Sequence, residues 1–145
     1  DVALIEPIAQ TLKLVGVERA LVVNGSGLDE FAIHGPTDIA ELKDGTVTTY
    51  QITPEQLGIS PYPLADLEGG DAAHNAVLIS ALLKGEGAKA HALAVAVNVA
   101  ATLYLSDIVS DFKSGVTMAL DVIQSGAAYN VVEQLCAASK EFGAS

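Results

Sequence analysis

Ala20-Leu21-Val22-Val23, followed at once by Asn24-Gly25-Ser26-Gly27-Leu28-Asp29-Glu30, is the stretch on which the fold turns. Four consecutive apolar residues read as a short strand buried on both faces, a pattern typical of parallel strands. Upstream, Leu4, Ile5, Ile8, Ala9, Leu12 and Val15 recur at helical spacing, and Gly16 follows as a stop. Pro7 either opens this helix or kinks it near its start. Helix then buried strand is the αβ half of a repeating α/β unit. No strand precedes it here, so the chain is expected to begin in the middle of a fold.

Gly25-Ser26-Gly27 ends the strand. Beyond it, 37–42 and 47–52 flank Lys43-Asp44-Gly45-Thr46, and an Asp-Gly pair between alternating segments signals a hairpin. Thr53-Pro54-Glu55 reads as a cap for a short turn ending at Gly58, and Pro61-Tyr62-Pro63 as a loop. After Gly69-Gly70 the pattern is helical. Asp71 caps a helix carrying Val77, Leu78, Leu82 and Leu83, which Gly85 and Gly87 terminate. Ala88 to Leu105 is a second helix, apolar nearly all round. Val116, Ala119, Leu120 and Ile123 mark a third, ended by Gly126, and Val131, Val132, Leu135 and Cys136 a fourth. The fold expected is an α/β domain with a partial mixed sheet, one buried strand plus a β-hairpin, covered by several helices.

Composition narrows the function. Eighteen acids against seven bases give a net charge of -11. Binding a nucleic-acid backbone needs clustered Lys and Arg, so neither a nucleic acid nor an anionic membrane surface is an expected partner. Ala88 to Leu105 has the length of a membrane span, but Lys89, His91 and Asn98 interrupt it and it is rich in Ala, which favours a buried helix. The single cysteine, Cys136, precludes an intrachain disulfide and fits a reducing, cytoplasmic setting. Its neighbours Val132, Leu135 and Ala138 point to a small buried residue rather than a nucleophile. No basic segment followed by an apolar core opens the chain, so no signal peptide is expected.

Asp29 and Glu30 are the sharpest chemical feature. Adjacent carboxylates on a regular strand point to opposite faces, so they serve one site only where the backbone turns. Gly25 and Gly27 make such a turn easy just beyond the carboxyl end of the strand, the edge at which open α/β sheets bind ligands. Two carboxylates there suit Mg²⁺, which takes few protein oxygens and completes its shell with water and substrate phosphates. Solvated surface is nonetheless the ordinary reading of an acidic loop pair taken alone. His34, close to the pair in sequence, is a candidate partner for it. His74 and His91 have no Cys or acid at ligand spacing, which excludes zinc. There is no Gly-x-Ser-x-Gly elbow, and Gly85-x-Gly87 follows a helix, not the strand that a dinucleotide fingerprint needs. Asn98, inside an apolar helix, must find hydrogen-bond partners and is expected to tie neighbouring elements together.

Gly25-x-Gly27-Leu28-Asp29-Glu30, then Ile33-His34-Gly35-Pro36-Thr37 and Ala40-Glu41-Leu42, resembles the anthranilate phosphoribosyltransferase family. Gly69-Gly70-Asp71-Ala72-Ala73 with Asn75, the helix containing Asn98, and Ser125-Gly126-Ala127-Ala128 continue the likeness in order. One departure is Asn24, where the family often has His. The resemblance implies transfer of phosphoribose from phosphoribosyl pyrophosphate to anthranilate in tryptophan biosynthesis, with Mg²⁺ held by Asp29 and Glu30. It also implies that residues 1–145 form the C-terminal part of the α/β domain. The family's Gly-Thr-Gly-Gly-Asp loop, its Lys-His-Gly-Asn-Arg stretch, an Arg for anthranilate and the helical domain that carries a homodimer contact would all precede Asp1. This chain alone is then expected to be inactive, and to associate with itself or with its missing half. Two other readings are a pyrimidine nucleoside phosphorylase-like fragment and a non-catalytic scaffold that shares the fold.

Overall fold

The computed structural model describes residues 1–143. Helix α1 spans Ile5–Leu14 and is followed by strands β1 (Ala20–Gly25), β2 (Thr37–Lys43) and β3 (Thr46–Ile52). A short 3-10 turn at Leu64–Leu67 leads into helices α2 (Ala72–Leu83), α3 (Lys89–Leu105), α4 (Phe112–Gln124) and α5 (Ala127–Gly143). Pro7 falls in the first turn of α1, where its missing N–H costs nothing.

The three strands lie in the order β1-β2-β3. β2 and β3 form the expected hairpin, with Lys43 opposite Thr46 across a tip whose Asp44 and Gly45 both have positive φ. β1 pairs with β2 antiparallel, Val23 opposite Ile39 and Leu21 opposite Glu41. This corrects the parallel direction inferred from the apolar run: among the described residues every strand pairing is antiparallel. The burial is met only in part: Ala20 to Val23 are half-buried, with α1 packed on one face of β1 and the core of α3 and α4 on the other. Val22 packs with Ala40 and Val47 against Ile5 and Ala9 of α1. Leu21 and Val23 point the other way, with Ile39, Tyr50 and Ile52, toward a core built by α3 and α4.

That core sits between the sheet and α3, whose Leu93, Ala96, Val97, Ala100 and Ala101 are buried. The small residues let α4 approach closely: a Cβ at Gly115 would stand 2.8 Å from the Ala100 Cβ. Phe31, Ile33, Leu57, Phe112 and Val116 fill the space between layers, each full burial of such a side chain contributing roughly 1.5–3 kcal/mol. Asp111 and Asp71 cap α4 and α2 by accepting the N–H groups of Ser114 and His74, each at 2.8 Å. Thr53 and Gln56 cap one another across the turn before Gly58. Among the described residues no helix is long and apolar enough to cross a membrane.

Helix α5 departs from expectation. Its apolar stripe exists, but Val131 and Leu135 are 63% and 67% exposed. Cys136, expected to be buried, is exposed with them. Helical period identifies a stripe; it does not supply the surface that would cover it.

Candidate metal-binding site

β1 ends in a two-residue turn. The Gly25 N–H donates to the Leu28 carbonyl at 3.0 Å, and the Leu28 N–H returns to the Gly25 carbonyl at 3.1 Å. Ser26 (φ 51°) and Gly27 (φ 101°) are both in the left-handed region, the conformation of a type I′ turn. The buried Asn24 accepts the Gly27 N–H at 3.2 Å, and the Ser26 hydroxyl donates to the Pro36 carbonyl at 2.8 Å. Asn24 thus braces the turn with its own amide.

The turn does what two adjacent carboxylates require. It sends the chain back past its own strand, so Asp29 and Glu30 leave the ladder and open onto one cleft of about 640 Å³. Leu28 lines the cleft on their side; Leu64, Ala65, Leu67 and Glu68 close it from the other. Both acids are exposed, and the next three residues, Phe31, Ala32 and Ile33, are fully in the core. The Ala32 N–H is held by the Thr37 hydroxyl at 3.0 Å. The Ile33 carbonyl accepts the Tyr62 N–H at 2.9 Å, which draws the 61–68 segment toward the acids.

Glu30 has a partner that residue spacing did not name. The Asn98 Nδ2 donates to Glu30 Oε2 at 3.3 Å, and its Oδ1 accepts the Phe31 N–H at 2.9 Å. Glu68 is the second feature missed; it reaches the cleft only because the proline-rich loop folds back. His34, a candidate partner of the acids, instead places Nε2 3.4 Å from the Ser26 carbonyl.

The Asp29 and Glu30 carboxylates are oxygen donors of the type a hard cation takes. Among the described residues no three His, Cys, Asp or Glu side chains converge to hold an ion. Asp29 and Glu30 present their oxygens in an open cleft. Mg²⁺, which binds through one or two carboxylates and keeps water or phosphate in its remaining positions, suits this better than zinc. His74 and His91 join no such group. Gly85 and Gly87 have packing reasons: a Cβ at each would stand 2.7 Å from the Gln124 carbonyl and 2.6 Å from the Leu82 Cα.

A second polar cluster lies at the far end of α3. The buried Glu41 carboxylate accepts the hydroxyls of Tyr50 and Tyr104, each at 2.8 Å. Burial, then the hydrogen bond to Glu41, pushes the Tyr50 phenol well above its ordinary range. For Tyr104 the hydrogen bond to Glu41 is the larger cause of the upward shift, with burial second. Arg19 pairs with Asp107 and lies over the Tyr104 ring. The cluster ties sheet to helices and opens onto neither the acids nor their cleft.

Comparison with known proteins places these features. The profile of the family described as "Glycosyl transferase family, a/b domain" matches residues 1–129. Anthranilate phosphoribosyltransferase from Shewanella baltica is 50% identical over 138 residues, which cover 95% of this chain and 39% of that protein. The enzyme of that name from Shewanella sp. strain ANA-3 is 45% identical over the same length. The chain thus spans about two fifths of the length of these curated relatives. Among solved structures, the anthranilate phosphoribosyltransferase of Thermus thermophilus superposes with a TM-score of 0.83 at 37% identity, covering 91% of this chain and 39% of that one. The Saccharomyces cerevisiae protein, described in complex with PRPP and Mg, shares the fold at a TM-score of 0.76 and 24% identity, over 88% of this chain and 38% of its own. The likeness read from the motifs is borne out, and the chain belongs to the glycosyl transferase family, a/b domain.

Proposed function

We propose that this chain is the metal-bearing portion of an anthranilate phosphoribosyltransferase, acting in tryptophan biosynthesis. The observation that carries the reading is the turn at Gly25–Leu28, which brings Asp29 and Glu30 onto one cleft at the end of β1. The relatives at 45–50% identity bear that enzyme's name, and the yeast protein of the same fold is described with PRPP and Mg bound. In the reaction of that class, pyrophosphate departs from the ribose as positive charge develops on the ring. Asp29 and Glu30 would hold Mg²⁺ through their carboxylate oxygens, directly or through its water. When bound, the ion supplies charge neutralisation for the leaving pyrophosphate.

The chain's own residues do the positioning. The type I′ turn aims the acids, the buried 31–33 segment fixes their base, and Asn98 steers one of them. Neither acid is assigned as a general base. Residues 1–145 form the C-terminal part of the α/β domain in this reading. The groups that bind pyrophosphate and anthranilate, and a homodimer contact, lie in the remainder of the enzyme. A cytoplasmic location accords with the single, exposed Cys136.

The test is phosphoribosyl transfer from phosphoribosyl pyrophosphate to anthranilate, with and without Mg²⁺, by the longer protein that contains this chain. Joint substitution D29N and E30Q is expected to lower turnover at least about 100-fold, the scale of losing a principal electrostatic stabiliser. Undiminished transfer by the double variant would remove the metal role. The 145-residue chain assayed alone is expected to show no transfer, and clear turnover by it would overturn the partial-site reading.

A further inference from the structure

Asn98 sits in the middle of α3 between Val97 and Val99, in the apolar run from Ala92 to Ala101. An amide in such a place is tolerated when its donors and acceptor are met. Its Nδ2 donates to the Ala94 carbonyl one turn back at 2.9 Å and to Glu30 Oε2 at 3.3 Å, and its Oδ1 accepts the Phe31 N–H at 2.9 Å. Only one orientation of the amide satisfies this set. Flipped, it would set its NH₂ against the Phe31 N–H and its oxygen against both the Ala94 carbonyl and the Glu30 carboxylate. The Ala94 carbonyl and the Phe31 N–H therefore fix the amide, and the fixed amide directs an N–H at Glu30.

From this geometry we infer that Asn98 is a positioning residue for the metal site: it holds Glu30 by its carboxylate and by the backbone of the residue that follows. The inference rests on the metal reading given above and adds an asymmetry between the two acids. Glu30 has Oε2 engaged by Asn98, and Oε1 has no hydrogen-bond partner among the described residues. Among the described residues no hydrogen-bond donor reaches the Asp29 carboxylate. Glu30 is the fixed ligand and Asp29 the adaptable one. A helix packed on the core thereby sets the place of an exposed carboxylate before any ion arrives, which is how outer partners of metal ligands act.

Titration of this chain with Mn²⁺, followed by the electron paramagnetic resonance signal of the free ion, tests the point without any turnover. Mn²⁺ stands in for Mg²⁺ because both take oxygen ligands in octahedral shells. E30Q is expected to weaken binding. N98A is expected to weaken it about 10-fold or more, and to have no further effect in the E30Q background, because Asn98 acts through Glu30. N98S replaces N98A should that variant fail to fold; its hydroxyl can turn back on the Ala94 carbonyl within the helix but is too short to steer Glu30. Wild-type affinity in N98A, with E30Q weakened, would overturn the inference and leave the metal reading standing. An effect of N98A that persists undiminished in the E30Q background would overturn it too, since that is the mark of a general structural defect. Failure of the wild-type chain to bind Mn²⁺, or equal binding by E30Q, would remove the metal reading and the inference together.

Discussion

The Glu30 carbonyl takes the space a side chain on Gly25 would need: a Cβ added to Gly25 would stand 2.2 Å from the Glu30 carbonyl oxygen and 2.6 Å from the Ala32 nitrogen. Both neighbours are backbone, so neither can swing aside. The acid-bearing segment lies flat against the end of β1, and the absent side chain is what admits it. Gly25→Ala is therefore expected to displace residues 28–32 as well as strain the core. Overpacking of this kind costs about 1–3 kcal/mol. Thermal melting and Mn²⁺ titration of the variant should both shift; an unchanged pair would show that the segment is not held as described.

The cluster at Glu41 gives an alkaline prediction. Tyr50 and Tyr104 both have phenols raised above the usual value of about 10. A group whose folded pKa is raised contributes stability that is complete below its unfolded pKa and is lost as pH climbs toward the folded value. Wild-type stability should then decline as pH rises above about 10, and the double variant Y50F/Y104F should lack that component of the decline. At neutral pH each single variant is expected to lose about 1–3 kcal/mol, as for a hydrogen bond to a buried charge. Urea midpoints measured between neutral and alkaline pH decide it, and parallel curves for the two proteins would refute it.

The exposed apolar residues of α5 and α2 predict association. Val131, Leu135, Val77 and Ile79 are all more than half exposed, and apolar surface of this extent marks interfaces or drives aggregation. The isolated chain is expected to self-associate or, under the proposed function, to pair with the remainder of the enzyme, and V131E/L135E should reduce it. Light scattering across a dilution series is the measurement, and a stable monomer at high concentration would count against the expectation.

Much of this architecture was legible from residue order. The hairpin tip at Asp44-Gly45, the caps at Asp71 and Thr53, the boundaries of α2 and α3 and the end of α4 follow from local rules, because each depends on neighbours in the chain. The direction of β1 did not. A run such as Ala20-Leu21-Val22-Val23 reports apolar contact on both faces, and α1 on one side with α3 and α4 on the other supply that contact in part whichever way the neighbouring strand runs. The exposure of Cys136 escaped for a related reason, since a helical stripe does not reveal whether a partner surface lies opposite. At the site, the turn before Asp29 was readable from Gly25 and Gly27. The contact between Glu30 and Asn98 was not, since 68 residues separate them and only the packing of α3 beneath the loop brings them together.

The turn at Gly25–Leu28 is followed at once by a buried tripeptide, and this leaves the acids no slack. Upstream the chain is closed by two backbone hydrogen bonds, and downstream Phe31 is already in the core. An extra residue inserted between 28 and 31 has no loop in which to be absorbed; it would slide the carboxylates out of reach of Asn98 or expel Phe31 from the interior. The β2–β3 tip, where a Cβ at Gly45 would meet nothing within 4 Å, is a different case. Length variation is tolerable there and forbidden beside the acids, so the spacing from Gly25 to Phe31 is as much a part of the site as the carboxylates it carries.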